Sequence, residues 1–110
     1  MINSLPSMLP ADHPFSSLES IPFHYLQNEK FILCAGGSYI RKKIMAECEK
    51  NNFKPDVLFT PLQVLTAFNM VASGAGISFV LDGEIAVIKN KPRIIIKPLQ
   101  EPIKFEAGFI

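Results

Sequence analysis

Three short apolar runs, each closed by turn or cap residues and followed by helical spacing, constrain this chain more than any other feature. The first is Phe31-Ile32-Leu33-Cys34-Ala35, ending in Gly36-Gly37; the second is Val57-Leu58-Phe59, ending in Thr60-Pro61; the third covers residues 77–81. The first, continuous, short and bounded by turn signals, reads as a strand buried on both faces, and the other two read as strands as well. After the first run, Ile40, Ile44 and Cys48 recur four residues apart, while Arg41, Lys42, Glu49 and Lys50 fall outside that stripe. This spacing predicts a helix over residues 39–51, with Ser38 where a cap belongs and Asn51-Asn52 at its end. Thr60-Pro61 pairs an N-cap hydroxyl with proline at the first helical position. A second helix is expected from there, with Leu62 at its beginning, Leu65, Phe68 and Val71 or Ala72 on its buried face, and Gly74 as its stop. Asp82 is expected to cap a shorter third helix ending near Ile88, and Asn90-Lys91-Pro92 to turn into a strand over residues 93–97. Residues 105–110 read as the start of a further strand. Alternation of this kind predicts an α/β domain: a three-layer, mostly parallel sheet flanked by helices.

The first 22 residues break that pattern. Pro6, Pro10, Pro14 and Pro22, with Ser16, Ser17 and Ser20 among them, exclude a long helix and predict an extended segment followed by loop. Residues 22–28 have room for one helical turn.

Composition narrows the function. With 110 residues, 48% of them hydrophobic and 19% charged, the chain is one globular domain. A net charge of +1 is too balanced for a nucleic-acid-binding domain, and the longest basic run, Arg41-Lys42-Lys43, reads as a solvated helix face. Cys34 and Cys48 have no metal-ligand spacing; both read as small buried hydrophobes, which suits a reducing compartment. No secretion signal is expected from the first ten residues, and no apolar run is long enough to span a bilayer. A soluble, cytoplasmic domain is the expectation.

Catalysis needs convergent groups, and few are on offer. His24 and Cys34 could form an imidazole-activated thiol, but a strand cysteine and a surface-turn histidine explain them better. No catalytic residue, metal site or cofactor is expected. More informative are the carboxyl ends of the expected strands, where open α/β sheets bind ligands. They carry Gly36-Gly37-Ser38 and Thr60-Pro61-Leu62-Gln63, hydroxyls and backbone N–H groups at two helix starts, an arrangement that favours an anionic or polar ligand group such as a carboxylate. Plain helix capping by Ser38 and Thr60 is the competing explanation.

Several segments also resemble one family. Leu9-Pro10-Ala11-Asp12-His13-Pro14-Phe15, then residues 21–26, then Asn28-Glu29-Lys30-Phe31-Ile32-Leu33, resemble the crossover into the second regulatory subdomain of LysR-type transcriptional regulators. Val71-Ala72-Ser73-Gly74-Ala75-Gly76-Ile77 is similar to that family's signature, with Gly74 and Gly76 as structural residues; residues 93–110 are similar to its return strand. Leu81 stands where the family usually has proline. The resemblance implies one lobe of a type 2 periplasmic-binding-protein-like fold: residues 1–28 as hinge and crossover, 29–92 as the lobe, 93–110 leading back towards a first lobe. It implies a small-molecule effector held by Gly36, Gly37, Ser38, Tyr39, Thr60, Pro61, Leu62 and Gln63. DNA would be contacted only through a helix-turn-helix domain that has no counterpart in these residues, and membrane not at all. Homo-oligomerisation is expected, because residues 105–110 and 1–9 carry apolar side chains that look partnerless in a single lobe. A free-standing solute-binding module is the rival reading.

Overall fold

Neighbouring residues on the strands of this protein face different apolar clusters, and that alternation organises the whole fold. The computed structural model describes residues 2–33, 38–88 and 91–106. In chain order they form β1 (Ile2–Ser4), β2 (Ser7–Pro10), two 3-10 turns (Pro14–Ser17 and Phe23–Asn28), β3 (Lys30–Ile32), α1 (Ser38–Lys50), β4 (Asp56–Phe59), α2 (Val64–Ala72), β5 (Ser78–Phe79), α3 (Asp82–Ile88), β6 (Ile94–Lys97) and β7 (Lys104–Glu106). Leu9, Phe31 and Phe79 join one buried cluster with Phe23, Leu26, Ile44 and Cys48. Their strand neighbours Met8, Ile32 and Val80 join another with Ala67, Phe68, Val71 and Ile88. The first cluster is thus covered by α1 and the second 3-10 turn, the second by α2 and α3. A strand with opposite faces in two cores carries apolar or hydrogen-bonded side chains on both, which is why the apolar run at β3 is continuous and the one polar side chain of β5, Ser78, is bonded to Ile32 O.

The α/β class holds, and the ladders within it are mixed. β3 pairs parallel with β4, and Phe31 forms a parallel bridge with Ile77 just before β5. That bridge is closed by Ile32 N donating to Ile77 O and Ile77 N donating to Lys30 O, both at 2.8 Å. β2 lies between β5 and β6 and pairs antiparallel with each; β1 pairs antiparallel with β7. The buried Ser78 hydroxyl donates to Ile32 O at 2.6 Å, and that of Ser7 to Lys97 O at 2.8 Å, so both buried side-chain hydroxyls tie neighbouring strands together.

The proline-rich start is extended and then turns into loop, as expected, but its extended part is more than an entry: it supplies the middle strand of β5-β2-β6, with Met8 and Leu9 fully buried. Pro6 lies before the strand and Pro10 is its last residue, so the prolines bound the ladder rather than interrupt it. The ends are not partnerless either. β1 and β7 pair with each other, Leu5 is buried, and its N–H donates to Ile103 O at 3.1 Å. The apolar residues Met1, Phe109 and Ile110 lie outside the described residues, as do Cys34, Ala35 and the turn residue Asn90.

Helix boundaries follow local chemistry. α1 ends as expected at Asn51-Asn52: Asn52 takes a φ of 64°, Phe53 N donates to Cys48 O and Asn52 N to Glu49 O. α2 ends in the same Schellman pattern, with Gly74 at φ 87°, Gly74 N donating to Val71 O and Ala75 N to Met70 O. At α3 the residue before the helix is Leu81, not the expected cap Asp82, which is already helical. Leu81 N donates to Glu84 Oε1 at 2.9 Å, half of a capping box that a proline at Leu81 could not make.

Candidate functional site

The parallel pair β3–β4 sets the geometry of the expected ligand edge. Beyond the strand pairing, Leu33 N donates to Phe59 O at 3.2 Å, so the chain leaves β3 and β4 side by side at their carboxyl ends. One chain then leads to the start of α1 at Ser38; the other leads through residues 60–63 to α2. Of the expected ligand residues, Gly36 and Gly37 lie outside the described residues. Ser38 is the first residue of α1. Tyr39 is half-buried, packs against the first core cluster and has the Lys43 ammonium 5.5 Å from its ring centroid.

Residues 60–63 differ from expectation. Thr60 does not cap α2 and Pro61 does not begin it; the helix starts at Val64. Gln63 occupies the cap position in an extended conformation and makes no side-chain capping bond. A residue before proline disfavours helical backbone, and Pro61 is buried. The helix begins only after that anchored residue. The buried face of the helix is Ala67, Phe68 and Val71, while Leu65 is 46% exposed and Leu62, now ahead of the helix, is 85% exposed. Leu65 therefore leaves the expected buried face, Leu62 no longer belongs to the helix, and with Leu58 and Phe59 they make four exposed apolar side chains in eight residues.

With no cap to make, the Thr60 hydroxyl is turned to another use. Arg41 Nη1, from the first turn of α1, donates to Thr60 Oγ1 at 3.4 Å. The two expected clusters are thereby linked by a residue outside both. Reading Arg41 with Lys42 and Lys43 as one solvated run hid it, because nothing local distinguishes a guanidinium that reaches a residue 19 positions later.

The histidines have other surroundings. His13 caps the first 3-10 turn, accepting Phe15 N–H at Nδ1 (3.0 Å), and its Nε2 meets Glu29 Oε1 at 2.7 Å. With Nδ1 accepting, Nε2 carries the proton and donates to Glu29. His24 is exposed and stands edge-on to the Tyr25 ring at 5.0 Å. Among the described residues no three His, Cys, Asp or Glu side chains converge as a metal site would require, and no helix is long and apolar enough to cross a membrane.

Comparison with known proteins agrees with this architecture. Residues 7–110 match the family model of the LysR substrate binding domain. An uncharacterized HTH-type transcriptional regulator of Bacillus subtilis, YybE, is 38% identical over 74 residues, covering 67% of this chain but only 25% of that protein. The regulatory domain of Synechocystis CcmR, solved in complex with 2-PG, superposes with a TM-score of 0.80 at 21% identity, over 98% of this chain and 55% of that one. The BenM effector binding domain, solved with its effector benzoate, superposes at 0.78 and 20% identity, over 94% of this chain and 50% of that one. Matched from residue 7 to its last, this chain belongs to the LysR substrate-binding-domain family.

Proposed function

We propose that this chain is an effector-sensing lobe of a LysR-type transcriptional regulator and carries out no reaction itself. The carrying observation is the Leu33–Phe59 backbone bond, which brings the chain leading to α1 beside the chain leading through residues 60–63. A small molecule is held there by Gly36, Gly37, Ser38 and Tyr39 on one side and Thr60, Pro61, Leu62 and Gln63 on the other. Benzoate on BenM supports a small carboxylate as the class of effector. The lobe is of the three-layer, mostly parallel, type 2 periplasmic-binding-protein-like kind. Apolar clusters on both faces of the strands support this reading, as does the direction of β3, β4, β5 and β6, all opposed to β2. Residues 1–28 serve as crossover, 29–92 as the lobe and 93–110 as the return; the β1–β7 pair at the two ends supports a hinge there.

The regulator acts in the cytoplasm as an assembly of copies and contacts DNA through another part of its chain. The effector shifts the response only through unequal affinity for two arrangements of the regulator. A thermal-shift screen of small carboxylates on the regulator carrying this chain is expected to find one that raises Tm with concentration. Ser38→Ala and Thr60→Ala are then expected to blunt induction in a reporter assay while DNA binding persists. Normal induction by both variants would refute the site.

A further inference from the structure

Arg41 is the cation best placed to serve this edge. The basic run to which it belongs divides into three separate roles: Lys43 stands over the Tyr39 ring, Lys42 is exposed, and Arg41 turns to Thr60. The ion pairs among the described residues are Lys30–Asp56 and Lys50–Glu101, and Glu29 is bonded to His13, so no carboxylate neutralises Arg41 there. A guanidinium carries five N–H donors in a planar fork. One long bond to Thr60 orients that fork and leaves most of its donors unused. Thr60 is flanked in sequence by Phe59, 51% exposed, and, beyond Pro61, by Leu62. A charged fork beside exposed apolar side chains suits a ligand with one anionic end and an apolar body.

We infer that Arg41 reads the charged group of the effector, a small carboxylate on an apolar body, with Thr60 holding the guanidinium in place. This rests on the effector-site reading above, which already expects a small carboxylate, and adds to it the residue that reads the charge. A carboxylate accepts two parallel, charge-assisted N–H bonds from the guanidinium, whereas the uncharged amide of the same shape offers one acceptor oxygen and no charge.

Benzoate and its uncharged counterpart benzamide, each titrated into this chain and followed by backbone amide NMR, provide the test. Benzoate is expected to move the amides of residues 38–41 and 60–63 saturably, and benzamide to leave them in place. Arg41→Gln is expected to weaken benzoate about tenfold, the loss of one charge-assisted pair. Arg41→Lys keeps the charge without the fork and should fall between; it decides the matter if the Gln variant folds poorly. Equal benzoate affinity in wild type and variants, at the same amides, overturns the role of Arg41 and leaves the site standing. Equal shifts with benzamide overturn the charge reading. Benzoate shifts confined to other amides, or none, overturn both.

Discussion

Single residues here owe their behaviour to what surrounds them in space. Cys48 is on the buried stripe of α1, fully covered by the first core cluster. Burial first, and the neighbouring Glu47 charge second, push its thiol from 9.0 up to about 11. It is therefore neutral and unreactive in the folded protein. Because the folded value lies above the unfolded one, the Cys48 contribution is intact below pH 9.0 and is lost as pH rises towards about 11. Denaturant melts across that window should show a shallower decline for Cys48→Ala than for wild type; identical slopes would contradict the assignment. Two glycines make a second contrast. A Cβ at Gly76 would lie 2.6 Å from the Lys30 carbonyl oxygen, whereas at Gly74 it would meet nothing within 4 Å, though φ is 87°. Gly76→Ala forces apart the backbone that forms the Phe31–Ile77 bridge and is expected to cost about 2–3 kcal/mol. Gly74→Ala carries only left-handed strain, about 1 kcal/mol. Urea melts that reverse this order would refute the distinction.

At the level of elements, ends matter more than interiors. The stripe Ile40, Ile44 and Cys48 was enough to foresee α1, and its close at Asn52 uses one of the few side-chain-bearing residues that tolerate positive φ. Asn52→Gly is expected to raise stability by about 0.5 kcal/mol and Asn52→Ala to lower it by about 1 kcal/mol; opposite signs in chemical denaturation would show that the cap does not limit the helix. α2 teaches the converse. Thr60-Pro61 has the composition of a helix start, yet the helix begins at Val64, because a buried proline fixes where the chain enters the core. Side-chain type alone does not say whether a hydroxyl caps its own helix or meets an arginine from another. In the first 22 residues the prolines exclude a long helix, but their number does not say that the extended part is a central strand; Pro6 and Pro10 fall at the limits of the β2 ladder rather than inside it.

The whole molecule joins its two ends. β1 and β7 pair, Leu5 and Ile103 are buried, and Ile21 bridges to Leu99 with Gln100 N donating to Ile21 O at 2.8 Å. The radius of gyration, 12.7 Å, is close to the ~13 Å of a compact domain of this size. Association through partnerless ends accordingly loses its basis for the described residues. Among the described residues the large apolar side chains left exposed are Tyr25, Leu58, Phe59, Leu62 and Leu65, and the last four cluster in the sequence. Pairing between copies is expected to run through Leu58 and Leu65, which the proposed effector site does not use. Leu65→Ser should lower the association constant in sedimentation equilibrium while leaving folding stability within about 0.5 kcal/mol of wild type, since surface substitutions disturb folding little. Unchanged association in the variant would direct attention to another face.

What the sequence determined by itself was everything periodic. Apolar runs and helical stripes identify β3, β5, α1 and the class of the fold, because burying a face demands a repeat that can be counted along the chain; the run at β4 marks a strand too, although Leu58 and Phe59 stay exposed. The signature around Gly74 and Gly76 could be read in the same way, since one glycine needs positive φ and the other a bare approach to Lys30. Folding in three dimensions alone makes Ser7–Pro10 a central strand, leaves Leu65 of α2 exposed and brings Arg41 to Thr60. Each depends on which surface packs against which. A strand covered by neighbours distant in sequence, or a guanidinium aimed at another element, leaves no periodic trace, because its partner is chosen by folding and not by adjacency.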